Sequence, residues 1–119
     1  MALSNYRSLE VWKKAMLMVE AVYCLSATWP AEERFGPTSQ IRRAAVSIPA
    51  NIAEGYGRTH RADYLRHLSI AKRSVAEVES LLTLGARLGL AQRKEATVTW
   101  KVVQEVGKML RRLIDSLKP

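Results

Sequence analysis

The stretch SQIRRAAVSIPANIAEGYGR, Ser39 to Arg58, carries the signals from which the fold can be worked out. Ile41, Ala45, Ile48 and Ile52 recur at intervals of four, three and four, which places them on one face of a helix. That face persists through Pro49, which cannot donate to the carbonyl of Ala45 and whose ring crowds it, so a kink is expected there. A second line, Gln40, Arg43, Ser47, Asn51, Glu54 and Arg58, is polar throughout. Ser47 and Asn51 can offer hydrogen bonds to groups the proline frees, and Glu54 and Arg58 can pair one turn apart. Gly55 and Gly57 are expected to supply the backbone freedom of a tight reversal. The polar line Gln40, Arg43, Ser47, Asn51, Glu54, with Pro49 and Gly55, therefore reads as a structural motif that holds a kinked helix and faces a neighbouring subunit.

Outward from this helix, glycine and proline divide the chain into four segments. The breaks fall from Trp29-Pro30 to Gly36-Pro37, at Gly55-Tyr56-Gly57 and around Gly89. Pro37 suits the first helical turn, Thr59 the N-cap of the third helix, and Asp63 the positive end of its dipole. Helix 1 carries Leu9, Trp12, Met16, Val19 and Tyr23 at heptad-like spacing. Helix 3 carries Tyr64, Leu68, Ala71, Val75, Val78, Leu82 and Gly85, and helix 4 carries Ala96, Trp100, Val103, Gly107, Leu110, Ile114 and Leu117. Short connections reverse each helix on the last, so the expected fold is all-α: an antiparallel up-down four-helix bundle, one domain over residues 1–119.

A second apolar stripe accompanies the first. Helix 1 adds Ala15, Met18, Val22, Leu25 and Trp29; helix 4 adds Val102, Val106, Met109 and Leu113; helix 3 adds Leu65, Ile70, Leu81, Leu84 and Leu88. A monomeric bundle needs one such stripe per helix, and a second left in water makes patches that soluble monomers seldom tolerate. A ring-like homo-oligomer is the expected solution.

The chain's net charge of +8 is uneven: residues 1–40 are neutral overall, and the whole excess lies in residues 41–119. Such a field favours polyanions, RNA or DNA above all. The candidate phosphate-binding residues are Arg42, Arg43, Arg58, Arg61, Arg66, Lys72 and Arg73, with Lys101, Lys108, Arg111 and Arg112 in support. They describe a basic surface and not a sequence-reading helix. Tyr56 and Tyr64 are candidates for stacking on unpaired bases, although Tyr64 also lies on the core seam.

Catalytic signals are weak. His60, Asp63 and His67 share a helical face, but no Glu-x-x-His motif or acidic cluster accompanies them, so solvated histidines at a helix start are expected and no metal. Cys24 and Ser47 lack a histidine-acid arrangement, and the Gly-Tyr-Gly turn lacks the spacing and lysine of a phosphate loop. No enzyme class and no cofactor is expected. One cysteine allows no internal disulfide, no signal peptide is visible, and no apolar run approaches the roughly 18 residues that span a membrane. A cytoplasmic location without membrane contact is expected.

Three stretches, SLEVWKKA, RFGPTSQIRRAAVSIPANIAEGYGR and YLRHLSIAKRSVAEVESLL, resemble the 23S rRNA intervening-sequence protein family. These S23 four-helix-bundle proteins include the accessory variability determinant of diversity-generating retroelements. The resemblance spans about residues 6–90 and departs from the family pattern at Pro37, where leucine is usual. It implies a small four-helix bundle, with homopentameric rings among relatives. For the retroelement members it also implies nucleic-acid binding and a reverse-transcriptase partner, which leaves a protein-interaction scaffold as the alternative role.

Overall fold

In the computed structural model, which describes residues 5–119, the chain forms four long helices: α1 Glu10–Ser26, α2 Pro37–Tyr56, α3 Arg61–Arg87 and α4 Arg93–Leu117. Short 3-10 turns precede α1 at Tyr6–Ser8 and occupy the first connection at Ala31–Glu33. Each helix packs on its two neighbours in chain order, α1 closes on α4, and the diagonal pairs bring no Cα atoms within 8 Å of each other among the described residues. This is the square, up-down bundle that short connections dictate, 46 × 23 × 20 Å in extent.

The helix ends follow local chemistry. Pro37 opens α2, and Gln40 N–H bonds Gly36 C=O at 3.0 Å. Asp63 sits in the first turn of α3, but the N-cap position belongs to His60 and not to Thr59, and no side chain caps it. Helix α3 ends in a Schellman motif: Leu90 N–H bonds Gly85 C=O at 2.9 Å, and Gly89 N–H bonds Ala86 C=O at 3.1 Å. Gly89, at φ 74°, has the only positive φ among the described residues.

The expected core seams of α2 and α3 are the observed ones. Ile41, Ala45, Ile48 and Ile52 face Leu68, Ala71, Val75, Val78 and Leu82, all buried. In α1 the order of the two stripes is reversed. Val11, Ala15, Met18, Val22 and Leu25 form the core, while Met16 and Tyr23 are exposed and Leu9, Trp12 and Val19 are half-buried. The narrow centre of a square bundle accepts the smaller side chains and leaves the bulky ones on the flank. Helix α4 is mixed in the same sense: Val103, Val106 and Leu110 are buried, whereas Trp100 is exposed.

Helix α2 runs unbroken through Pro49 and through Gly55. Gly55 therefore does not provide the reversal; it lets two helices approach. A Cβ there would stand 2.7 Å from the Cβ of His67 and 3.0 Å from Cδ1 of Tyr64 on α3. Gly57, with φ −81°, simply follows the last helical residue. At the other end of α3, Gly85 makes the hollow that receives the indole of Trp29, where a Cβ would lie 2.8 Å from Cζ2.

Alanine at Gly55 gains about 1 kcal/mol of helix propensity, but overpacking against an atom fixed to the α3 backbone costs about 1–3 kcal/mol. Gly55→Ala is accordingly expected to lower stability by up to about 2 kcal/mol in urea denaturation. Gly107→Ala is the control. Its Cβ would meet only Val75 Cγ1, at an ordinary 3.6 Å, so it should raise stability by up to about 1 kcal/mol. Equal effects from the two would rule out the close-approach account of Gly55.

Candidate nucleic-acid interface

The polar line of α2 divides. Ser47 and Asn51 turn inward to α3, while Gln40, Arg43 and Glu54 are exposed. Ser47 Oγ lies 2.9 Å from Ser74 Oγ, and Asn51 Nδ2 donates to the Ser47 carbonyl at 2.9 Å and to its Oγ at 3.2 Å. Asn51 thus braces the turn above Pro49 without reaching the carbonyl of Ala45. Its Oδ1 stands 3.0 Å from Nδ1 of His67, so Nδ1 must be the donor. His67 is buried against α2, contrary to the solvated position expected for it. His60 is exposed, and among the described residues no three metal-binding side chains cluster. Tyr64 is held edge-to-face on Tyr56, with centroids 5.9 Å apart. Burial, and then the neighbouring Tyr56, raises the Tyr64 phenol above its usual range.

The eleven candidate cations separate by what they touch. Arg42 belongs to the scaffold. Its Nε donates to Ser26 Oγ at 2.8 Å, its Nη2 to the Tyr23 carbonyl at 3.4 Å, and its guanidinium lies 4.6 Å over the Tyr23 ring. It places positive charge at the carbonyl end of α1, where the helix dipole favours it. Arg58 pairs with Glu54 at 2.9 Å, as its spacing suggested. The remaining nine, Arg43, Arg61, Arg66, Lys72, Arg73, Lys101, Lys108, Arg111 and Arg112, are exposed and have no carboxylate partner among the described residues.

Eight of those nine lie on α3 and α4. Gln104 donates to Glu79 across this pair, and Gly107 lies against Val75, which fixes the antiparallel register. Two turns from that hydrogen bond, Lys72 and Arg111 fall on the same outer edge, facing each other across the seam; Arg61 lies about five turns from it along α3, and Arg93 about three turns from it along α4 in the other direction. Arg66 and Arg73, a heptad apart, continue the charge along α3, and Lys101 and Lys108 along α4, whereas Arg112 lines the α1–α4 groove with Leu9 and Glu10. The α3–α4 flank is basic along its length.

Arg87 and Arg93 extend the flank and were not among the expected residues; their place at the α3–α4 turn was the available signal. The opposite flank, α1–α2, carries an apolar stripe, with Arg34, Arg42 and Arg43 lining the groove beside Tyr23 and Val46. It shows Met16, Tyr23 and Val46 exposed, with Leu9, Trp12 and Val19 half-buried beside them and Tyr6 edge-on to Trp12. Among the described residues no helix is long and apolar enough to cross a membrane.

The class so defined is an antiparallel four-helix bundle with a basic α3–α4 flank and an apolar stripe on its α1–α2 flank. Residues 7–112 match the 23S rRNA-intervening sequence protein family, and the chain belongs to that family. A crystal structure of a protein of unknown function from the S23 ribosomal protein family of Bacteroides thetaiotaomicron superposes with a TM-score of 0.82. It shares 28% identity, over 88% of this chain and 95% of that one. No curated protein matches the chain.

If Arg42 is scaffold and Arg111 free surface, their truncations should differ in a melt. Arg42→Ala should cost about 1 kcal/mol or more, because it strips partners from Ser26 and from the end of α1. Arg111→Ala should stay within about 0.5 kcal/mol of the parent.

Proposed function

We propose that this protein is a non-catalytic, self-associating bundle that binds RNA or DNA through its α3–α4 flank. The observation that carries the reading is the unpaired charge there: Lys72 and Arg111 face each other across the seam, and five further candidate cations extend along both helices without carboxylate partners. Basic side chains that neutralise no acid in their own chain are available to neutralise phosphates. Contacts of this kind give affinity by counterion release and little sequence preference. One copy offers a modest patch, and several copies held together multiply it by effective concentration.

Self-association is assigned to the α1–α2 flank. Its apolar side chains are the second stripe that a monomer has no use for, and its α1 residues carry no net charge excess. Of the arginines that line it, Arg34, Arg42 and Arg43, Arg42 is already bonded to Ser26 and Tyr23. The arrangement taken from the family resemblance is a ring of five. With α1–α2 covered, the basic flank of each copy remains outward.

Retention of labelled RNA and duplex DNA over a salt series tests the binding. The logarithm of affinity should fall linearly with the logarithm of salt, and the double variant Lys72→Ala, Arg111→Ala should flatten the duplex slope by about 2. No binding at about 50 mM salt would refute the proposal. Light scattering tests the assembly: the parent should run as a multiple of 13.4 kDa, and Met16→Glu, at an already exposed site, should shift it towards one copy. A parent mass of one copy at micromolar concentration would refute self-association.

A further inference from the structure

At the turn between α3 and α4 the basic flank contains a shallow groove, with Arg87 on one wall, Arg93 on the other and Trp100 along its side. Its volume, about 270 Å³, falls just below the roughly 300–1,000 Å³ of pockets that enclose small molecules. It is a platform and not a pocket. Trp100 is 38% exposed, whereas Trp29 is buried at 6% and Trp12 is half-buried under Tyr6. An indole with this exposure, placed beside alanines Ala86 and Ala96 that leave room, presents apolar surface to whatever enters the groove.

The polar groups around it favour an anion. Arg87 and Arg93 have no carboxylate partner among the described residues. Glu79, further along the same seam, is held by Gln104, and Glu95 lines the α1–α4 side of its helix instead. Thr83 and Thr97 donate their hydroxyl protons to the carbonyls of Glu79 and Arg93 in their own helices, at 2.9 and 2.8 Å, so those protons are already engaged. Helix α4 begins at Arg93 with no side-chain cap, and its free amides add to the positive end of the groove.

We propose that this groove is a stacking site for an unpaired nucleotide, with the base on Trp100 and the adjoining phosphodiester between Arg87 and Arg93. The inference rests on the nucleic-acid reading of the α3–α4 flank and sharpens it to single strands, loops or ends. A duplex keeps its base faces stacked on one another and offers this indole only its backbone. A free strand offers both the π face and the phosphate that the groove is equipped to hold.

The test uses fluorescence anisotropy of the full chain with three labelled probes: an oligouridine, an oligodeoxythymidine and a DNA duplex of the same length. Trp100→Leu, which keeps apolar bulk and removes the aromatic face, should weaken both single strands by about tenfold and the duplex by less than about twofold. Trp100→Phe should recover most of the loss. The double variant Arg87→Ala, Arg93→Ala should weaken all three probes. A greater effect on the uridine probe than on the thymidine probe would identify RNA as the preferred strand, and equal effects would identify either strand as acceptable; both outcomes support the site. Equal loss on single strands and duplex, or no loss on any, would overturn it while leaving the basic flank in place. Failure of the parent to bind any probe would overturn both readings. Melting curves of the Trp100 variants separate a folding defect, which phenylalanine and leucine would share, from a stacking defect, which only leucine would show.

Discussion

The contact between Gly55 and His67 governs how α2 and α3 meet. A missing Cβ on one helix receives the Cβ of the other, and the two backbones come closer than any larger residue would permit. That approach brings Asn51 within 3.0 Å of His67 and Ser47 within 2.9 Å of Ser74, so these four side chains pair, while His67 Nε2 and the Tyr64 hydroxyl stay buried without a partner among the described residues. Side chains of this kind left apart in a core would each forfeit a hydrogen bond on folding. Close packing is thus the condition that makes the polar line of α2 tolerable. At the far end of α3, Gly85 does the same for Trp29 and draws the α1–α2 connection against the bundle. Two glycines set the spacing, and the apolar seams fill it.

With α2 and α3 fixed in this way, the remaining helices have few choices. Helix α1 must cover α2 and α4, and Arg42 ties α2 to the end of α1 through Ser26 and Tyr23. The pair Lys14–Glu105 joins α1 to α4 at 3.0 Å, but both side chains are partly in water, so its contribution is small beside the burial of Val103, Val106 and Leu110. The result is a ring of four neighbours in which the α1–α2 and α3–α4 flanks lie on opposite sides.

Much of this was legible from spacing. The seams of α2 and α3, the glycine and proline breaks and the four-helix count follow from periodicity, because each of those seams has one dominant apolar face. Helix α1 was harder, since two stripes there obey the same spacing. Choosing Ala15, Met18 and Val22 over Trp12, Met16 and Tyr23 depends on the width of the gap between partners, which a single helix does not reveal. Gly55 was readable as a special position but not for its reason, because close approach involves a residue twelve positions away on another helix. Arg42 shows the same limit in charge: sequence supplies the cation, and only the fold supplies Ser26 and Tyr23. Trp100 was drawn into the core by its register with Val103, yet the groove at the α3–α4 turn leaves it in water.

Charge and apolarity are also segregated in a way that bears on assembly. The basic excess sits entirely after residue 40, while α1 carries Glu10, Lys13, Lys14 and Glu20 and is balanced. Copies brought together by their α3–α4 flanks would concentrate like charges, and repulsion between them would grow as salt falls. Copies brought together by their α1–α2 flanks would bury the exposed apolar stripe and keep the α3–α4 cations apart. Association through α1–α2 would leave Lys72 and Arg111 uncovered and would cover Arg43, which lines the α1–α2 groove with Tyr23 and Val46. A polyanion would then reinforce such an assembly by screening the repulsion that remains. Coupling in that direction is required by linkage whenever several copies engage one strand.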